Sequence, residues 1–407
     1  MSEPENGAEE RSWFSPGVAG IGGASFLSDV GHEIPTSLLP SLVAGFGAPA
    51  AALGLIEGLA NGAAGLAKLV GGPLADDPER RKSIAVGGYA ATAVLSSLIG
   101  AATAVWQIGV LRMGAWTARG LRVPARNALL ADIVPAAVYG KAYGFERAMD
   151  NLGAIAGPLL ALALVGMVGV RDAIFLSVIP GLLAAVAIVF AIRKAPRIAA
   201  RPRTKLRLAI RPLLRGDLGK LFVGVSAFEF GNVAATLLIL RGTEVLTPVY
   251  GLQTATQIAL GLYVAYNLAA TVISVPAGHV GDRWGSVRVL AGGAALTLAA
   301  YLAFTIAELP ALAAGFVLAG LGIGCMETAQ HAAVASLAPV DVRGSAFGVL
   351  AAVQSFGSVC ASAIAGVIWT FVSPSAAFAY LAFWMLAAVP AILWSHRRSD
   401  YAEPPHS

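Results

Sequence analysis

The stretch AGHVGDRWGSVR (residues 277–288) has a second, diverged copy earlier in the chain, GGPLADDPERRK (residues 71–82). Each copy is a short charged segment between two long apolar runs. Two positions of each copy align at the same spacing: Gly72 and Asp76 with Gly278 and Asp282. The chain is therefore expected to consist of two similar halves.

Two further pairs of segments support this repeat. One pair is ARNALLADIVPAAVYGKAYG (125–144) and AQHAAVASLAPVDVRGSAFG (329–348); the other is Asp29-Val-Gly-His32 and Glu229-Phe-Gly-Asn232. Repeated halves of the same orientation are typical of transporters that bind their solute between the halves.

Composition assigns the chain to the helical membrane proteins. Of its 407 residues, 57% are apolar and 13% are charged, whereas a soluble globular protein has about 25% charged residues. The mean hydropathy is positive, and the 47 glycines suit closely packed membrane helices. We expect an all-α, polytopic membrane protein with 12 transmembrane helices in two pseudo-symmetric six-helix halves.

A helix needs about 20 apolar residues to cross a bilayer, and such stretches give twelve predicted spans. They lie at 17–46, 49–74, 83–104, 107–130, 139–167, 172–193, 218–241, 253–279, 286–306, 309–337, 343–370 and 373–395. The predicted domains are an N-terminal tail (1–16), a six-helix bundle (17–193), a basic linker (194–217), a second six-helix bundle (218–395) and a C-terminal tail (396–407).

The basic linker predicts the orientation. Residues 193–220 hold ten Lys or Arg against one acid, Asp217, and short basic loops stay on the cytoplasmic side of a membrane. With six spans on each side of the linker, both termini are expected in the cytoplasm, and the membrane is expected to be the inner (plasma) membrane. The linker is expected to face lipid headgroups rather than nucleic acid.

The repeated loop resembles the G-x-x-x-D-R-x-G-x-x-R loop signature of the major facilitator superfamily, although Pro78 and Glu79 interrupt the first copy. A closer resemblance is to a bacterial permease and efflux subfamily. It is carried by Asp29, Glu33 and Leu39-Pro40 in span 1, by EGLA (57–60) with Lys68 in span 2, and by GFERAMDNLGAIAGP (144–158) in span 5. The resemblance to the superfamily covers the whole chain at the level of spans and repeat, and it implies a secondary active transporter that works by alternating access.

Ionisable side chains inside the spans are the first candidates for function, because a charge at the bilayer centre costs a few kcal/mol or more. A buried carboxyl close to a base can be poised to take up a proton at one face and release it at the other. The candidate proton-coupling residues are Asp29, Glu33, Glu57, Asp150, Glu229 and Glu327. For Asp29 and Glu33, a charge pair that only holds helices together is the alternative.

Other polar side chains at similar depths are candidates for lining a solute cavity. They are His32, Asn61, Arg119, Asn232, Tyr263, Asn267, Gln330, His331 and Gln354. For His32, a hydrogen bond within a helix contact is an equal alternative. A third group near the predicted cytoplasmic ends is expected to form structural ion pairs: Lys68, Arg122, Arg126, Glu146 and Arg147.

Two further sets of residues are expected to act in conformational change. A cytoplasmic gate is predicted at Gly72, Asp76, Arg80, Arg81, Gly278, Asp282, Arg283 and Arg288. A helix bend is predicted in span 5 at Gly153, Gly157 and Pro158, since proline interrupts helix hydrogen bonds. This span 5 element resembles the antiporter signature of the superfamily's drug exporters, and simple helix packing is the alternative.

The sequence thus predicts a monomeric, proton-coupled antiporter that exports a small organic solute. The alternative is a transporter of a divalent metal ion or metal chelate, because carboxylates together with His32 and His331 are suitable ligands. No cofactor, resident metal or catalytic residue is expected, since no nucleophile–base pair, phosphate-binding loop or metal motif is present. An enzyme, or a receptor without transport activity, is therefore not favoured.

Overall fold

The computed structural model describes residues 13–194 and 213–397, and every regular element in those ranges is a helix. The first half contains α1 (Pro16–Gly45), α2 (Ala50–Ala75), α3 (Pro78–Leu98), α4 (Val105–Ile133), α5 (Tyr139–Leu176) and α6 (Val178–Lys194). The second contains α7 (Gly216–Glu229), α8 (Ala235–Trp284), α9 (Ser286–Thr305), α10 (Leu309–Leu337), α11 (Arg343–Phe371) and α12 (Pro374–Arg397). Most of the predicted tails and linker, residues 1–12, 195–212 and 398–407, lies outside the described residues.

Two glycines divide long helices and so set the boundaries between spans. Gly169 in α5 has a φ of 83° and Gly251 in α8 has a φ of 75°, left-handed values that glycine adopts readily. Span 6 begins after Gly169 and continues through α6, and span 8 begins after Gly251. Span 5 is the part of α5 before Gly169, and span 7 consists of α7 and the part of α8 before Gly251. Each of the remaining spans coincides with the helix of its number.

Hydropathy alone identifies fewer crossings than the fold contains. Eight helical stretches in the described residues are long and apolar enough to cross a membrane, and two of them, Ala136–Lys194 and Ala235–Trp284, have room for two crossings. Helices α1 and α4 are not among the eight. Their buried polar side chains, including Asp29 in α1 and Arg122 in α4, identify them as helices that face the interior of the bundle.

Span 7 is broken, which corrects the prediction of one continuous helix over 218–241. Helix α7 ends at Glu229 and α8 begins at Ala235. Side chains satisfy two of the backbone N–H groups freed there: Val233 donates to the hydroxyl of Tyr301 (3.3 Å), and Ala234 donates to Oγ of Ser362 (3.0 Å). Irregular backbone at membrane depth persists where it is buried in protein or lines a cavity.

The sequence repeat has a counterpart in the packing. A Cβ added at Gly153 of span 5 would lie 2.8 Å from Cβ of Asp29, and one added at Gly357 of span 11 would lie 2.5 Å from Cβ of Glu229. Only glycine allows helices to approach this closely without rearrangement. The aligned acids Asp29 and Glu229 therefore occupy equivalent helix contacts in the two halves.

The halves touch each other at the end of the bundle where α6 ends and α7 begins. This end is called the linker side below. The carboxylate of Asp76 accepts hydrogen bonds from the backbone N–H (2.9 Å) and the hydroxyl (2.5 Å) of Ser345, near the start of α11. Asp282 accepts from the N–H groups of Gly140 (2.6 Å) and Lys141 (2.9 Å), near the start of α5. A carboxylate at a helix N-terminus is favourable because it meets free N–H groups and the positive end of the helix dipole.

Two more of the predicted gate residues contribute to the same contact. A Cβ added at Gly348 would lie 2.8 Å from Cα of Gly72, so these two glycines allow spans 2 and 11 to touch. Arg81 forms an ion pair with Asp132, and Arg343 of the other half lies 3.6 Å from the same carboxylate. These contacts close the linker side in this conformation.

The remaining predicted gate residues differ in their surroundings. Gly278 lies against the backbone at the start of α5 and belongs to the contact between the halves. Arg80 lies 3.5 Å from Asp77 of its own half, Arg283 lies over the ring of Trp284 at 5.9 Å, and Arg288 is exposed. Asp76 and Asp282 therefore make the two polar contacts between the halves that resemble each other most closely.

Replacement of both Asp76 and Asp282 by Asn should weaken closure of the linker side, because an amide lacks the charge that favours a helix N-terminus. The readout is alkylation of a cysteine placed at Ala346, a fully buried position, in a variant without Cys325 and Cys360. We expect the alkylation rate to rise by about tenfold, the effect of roughly 1.4 kcal/mol on the opening equilibrium.

Asp77→Asn is the matched control, because Asp77 caps α3 through the N–H groups of Glu79 and Arg80 and does so within one half. Its alkylation rate should equal that of the parent. The same rate in the parent and the double variant would contradict the role of the two carboxylates in closure.

Candidate functional site

A cavity of about 650 Å³ lies between the two halves. Spans 2, 4 and 5 of the first half and spans 7, 10 and 11 of the second form its wall. The predicted site residues that line it are Asn61, Arg119, Asp150, Glu229, Asn232, Glu327, His331 and Gln354. The proton-coupling candidates Asp29, Glu33 and Glu57 do not line this cavity.

Four residues predicted to line the cavity lie behind its wall instead: His32, Tyr263, Asn267 and Gln330. The reason is that other groups of the protein engage their side chains. Asn267 donates to the carbonyl oxygen of Tyr263 (3.0 Å), and the ring of Tyr263 stacks on Tyr266 with 5.6 Å between centroids. Gln330 and His32 each bond within networks described below.

Span 1 carries an acid–base cluster behind the cavity wall. Nδ1 of His32 lies 2.8 Å from the carbonyl oxygen of Ser28 and 3.4 Å from Asp29, and Nε2 lies 3.4 Å from Glu33. Asp29 also lies 3.6 Å from Nη2 of Arg119, which does line the cavity. Both acids of α1, Asp29 and Glu33, therefore have basic neighbours, and the imidazole of His32 lies between them.

Glu57 is held by an arginine of span 4. Its carboxylate lies 2.9 Å from Nη2 of Arg112, whose guanidinium lies over the ring of Trp116 at 3.4 Å from the centroid. The indole N–H of Trp116 in turn donates to Oδ1 of Asn61 (3.1 Å). This chain of contacts ties span 2 to span 4.

The strongest ion-pair network joins spans 4 and 5. Glu146 lies 2.8 Å from Nη1 of Arg126 and 2.7 Å from Nε of Arg147. Asp150 lies 3.1 Å from Arg147 and 3.4 Å from Arg126. Two carboxylates and two guanidinium groups thus neutralise one another, which is the condition under which buried charges are tolerated.

Glu229 differs from every other buried acid in the described residues, because no Lys, Arg or His nitrogen lies within 4 Å of its carboxylate. It is 2% exposed and accepts hydrogen bonds from two neutral amides, Asn232 (2.9 Å) and Gln330 (3.2 Å). Gln354 donates to Gln330 (2.7 Å) and extends the network along the cavity wall. The carboxyl also stands at the last residue of α7, where span 7 breaks.

Glu327 on span 10 is intermediate between the ion-paired acids of span 5 and the unpaired Glu229. Its closest cationic partner is Arg147 at 3.9 Å, a distance at which attraction persists without a hydrogen bond. One turn further along the helix, Nδ1 of His331 lies 2.6 Å from the carbonyl oxygen of Glu327. The imidazole ring also stacks on Phe347, so the histidine is fixed in position.

Several cavity residues were not recognised as such in the sequence. Lys68, Arg122, Arg126 and Arg147 were expected to form structural pairs, yet all four line the cavity. Arg119, Arg122 and Arg126 follow one another at spacings of three and four, which places them on one helix face. That spacing was the signal available in the sequence.

Span 11 contributes a row of small hydroxyl groups to the opposite wall, also missed in the sequence: Ser355, Ser358 and Ser362. Serine is common in membrane helices that merely pack closely, so its presence gave no signal.

In the described residues no group of three or more His, Cys, Asp and Glu side chains is arranged to hold a metal ion, and no contact favours a metal over an organic solute.

Comparisons with known proteins agree with this architecture. The profile of the Major Facilitator Superfamily matches residues 21–254 and 242–407. An uncharacterized MFS-type transporter of Methanocaldococcus jannaschii is 29% identical over 376 residues, which cover 88% of this chain and 90% of the relative. A gentisate transporter of Corynebacterium glutamicum is 36% identical over 112 residues, 27% of this chain and 25% of the relative.

Among solved structures, the chain is similar to the E. coli fucose:proton symporter FucP, with a TM-score of 0.74 and 14% identity. The superposition covers 95% of this chain and 100% of the FucP chain. At this identity the likeness shows a common fold of twelve membrane-spanning helices in two halves.

The substitution Glu146→Gln should destabilise the protein, because it leaves the buried guanidinium groups of Arg126 and Arg147 with one acid between them. Loss of one partner of a buried ion pair costs about 3–5 kcal/mol. A lower melting temperature of the purified protein in detergent would show this loss.

Glu244→Gln is the control for that experiment. Glu244 is exposed and accepts one hydrogen bond from Trp369, so its loss should change the melting temperature little. Equal melting temperatures for Glu146→Gln and the parent would contradict a stabilising role for the network.

Proposed function

The chain belongs to the Major Facilitator Superfamily and is a multi-pass membrane transporter of small solutes; on that premise we propose that transport is proton-coupled and that Glu229 binds the proton. The observation that carries the proposal is the setting of this carboxyl. It is buried at the cavity wall and meets only neutral hydrogen-bond donors.

The absence of an ion pair decides between Glu229 and the other acids, because Lys68 acts on Glu229 only from beyond 4 Å. An ionised carboxylate buried without a counter-charge costs several kcal/mol, whereas the protonated acid is neutral. Glu229 can therefore gain or lose a proton without breaking an ion pair. Protonation of Asp150 would instead leave Arg126 and Arg147 short of one negative charge.

The position of Glu229 supports coupling of its proton to alternating access. It terminates α7 at the break in span 7 and packs against Gly357 of span 11. Span 11 also supplies Ser345, which bonds to Asp76 at the linker side. A change in the charge of Glu229 therefore acts on the helix that closes the linker side, and Asp76 and Asp282 serve as the gate.

Antiport and export were predicted from the glycine–proline element of span 5 together with the buried carboxylates. In the structure Gly153 and Gly157 pack on span 1, against Asp29 and Glu33. This contact explains the element through packing and needs no direction of transport.

The protein is further proposed to act as a monomer in the inner membrane. Both termini are placed in the cytoplasm, as the basic linker and the even number of spans favour. The linker side is then the cytoplasmic side, and the conformation described here is closed toward the cytoplasm.

The substitution Glu229→Gln tests the proposal, since glutamine keeps the size of the side chain and one acceptor oxygen and cannot carry a proton. A rotated Asn232 amide can offer its oxygen to the new NH2 group. Because one relative is named a gentisate transporter, labelled gentisate is the first solute to test in proteoliposomes. We expect the wild type to move gentisate against its gradient when a pH gradient is imposed. Glu229→Gln should lose this pH-driven movement and retain exchange of labelled for unlabelled gentisate.

Glu308→Gln, which alters an exposed acid next to α10, should behave as the wild type. Undiminished pH-driven movement in Glu229→Gln would contradict the assignment of the proton to this residue.

A further inference from the structure

The cavity wall carries more cationic than anionic groups, and the two signs are separated. Five cationic side chains line it, all on the first half: Lys68, Arg119, Arg122, Arg126 and Arg147. Of the three carboxylates that line it, Asp150 belongs to the first half and Glu229 and Glu327 belong to the second. The wall of the first half is therefore the positive one.

Two of the five cations are already neutralised. Arg126 and Arg147 share Glu146 and Asp150 at distances of 2.7 to 3.4 Å. These four groups leave no charge in excess. The attraction of the wall for a ligand therefore depends on the other three cations.

Lys68, Arg122 and Arg119 lack a carboxylate at hydrogen-bond distance. Nζ of Lys68 donates to Oγ of Ser355 (2.7 Å) and has no carboxylate within 4 Å in the described residues. Arg122 donates from Nη2 to the hydroxyl of Ser28 (2.7 Å) and lies over the ring of Tyr89 at 3.9 Å, while its Nη1 is buried without a hydrogen-bond partner. Arg119 meets one carboxylate, that of Asp29, and only at 3.6 Å.

Cations of this kind favour a bound anion. Burial of a charge without an ion-pair partner costs several kcal/mol. Lys68 is repelled by Arg119, and the two carboxylates that attract it, those of Glu229 and Glu327, do not lie within 4 Å of it. An anion placed between them would relieve the repulsion and accept charge-assisted hydrogen bonds, which are stronger than those between neutral groups. A cationic ligand would add to the repulsion.

The facing wall offers hydrogen bonds to the rest of such a ligand. Ser358 makes no hydrogen bond within the described residues and lines the cavity, between Ser355 and Ser362, which are already engaged. Gln354 stands one residue before Ser355. Hydroxyl and amide groups of this kind suit hydroxyl-bearing ligands, and a volume of about 650 Å³ falls in the usual range for small-molecule sites.

We propose that the transported solute is a small organic anion, whose carboxylate binds between Lys68 and Arg119 and whose polar groups face the serines of span 11. The assignment of an anion rests on these contacts. Its link to protons rests on the proposed function of Glu229.

Because Glu229 lies in the same cavity, its protonation should strengthen the binding of the anion. The ionised carboxylate repels a bound anion, and the protonated acid does not. Anion binding and proton binding therefore favour each other by the same factor. This linkage favours cotransport of anion and proton in one direction, in place of the exchange predicted from span 5.

Ligand binding by the purified full-length protein tests the proposal through its melting temperature and by titration calorimetry. The probes are gentisate and quinate as hydroxylated anions, gentisamide as the neutral analogue of gentisate, and choline as a cation. We expect at least one of the two anions to bind, and gentisamide and choline not to bind. Absence of binding by both anions, or binding of gentisamide or choline with equal affinity, would overturn the anion assignment.

Variants then place the anion on the wall. Lys68→Gln and Arg119→Gln should each weaken anion binding by about tenfold to hundredfold, the usual value of a hydrogen bond to a charged group. Lys68→Arg and Arg119→Lys keep the charge and should bind more tightly than the Gln variants, which separates loss of charge from loss of folding. Arg193→Gln, at an exposed arginine outside the cavity, should bind as the wild type does.

The pH dependence separates this proposal from that for Glu229. In the wild type the anion should bind more tightly as the pH falls, and Glu229→Gln should bind it with little pH dependence. Loss of binding in Lys68→Gln together with an unchanged pH dependence in Glu229→Gln would support the anion site and refute the proton site. Binding that does not change in Lys68→Gln and Arg119→Gln would refute the anion site whatever the pH dependence.

Discussion

A charged side chain among membrane-spanning helices is stable only where an opposite charge or several hydrogen bonds compensate the loss of water, and this constraint orders the interior of the protein. Arg126 and Arg147 surround Glu146 and Asp150, and Arg112 covers Glu57. These pairs join spans 2, 4 and 5 into one unit. Because these charges neutralise one another, most of the buried Arg, Glu and Asp side chains are poorly suited to binding a solute or a proton.

The groups left incompletely neutralised are the ones to which we assign function. Glu229 has only amide partners, and Lys68 has only a hydroxyl partner, although both line the same cavity. They lie on opposite halves, so a ligand bound between them interacts with both charges. A transporter needs charges that a solute or a proton can complete, and tightly paired charges are unsuited to that purpose.

The sequence predicted the class, the twelve spans and the repeat, because these depend on composition and on local patterns along the chain. It also placed Asp29 and Glu229 at equivalent positions, which the packing of Gly153 and Gly357 reproduces. It could not tell which acids are paired, since pairing depends on helices distant in sequence. It also missed the break after Glu229, where side chains of other helices, including that of Tyr301, satisfy the freed backbone.

A proton carried by Glu229 is the central claim, and infrared difference spectroscopy of the purified protein between two pH values tests it directly. A protonated carboxyl has a C=O stretching band that an ionised carboxylate lacks. The account predicts a pH-dependent band of this kind in the wild type and in Glu308→Gln, and its loss in Glu229→Gln. The same band, undiminished in Glu229→Gln, would contradict it.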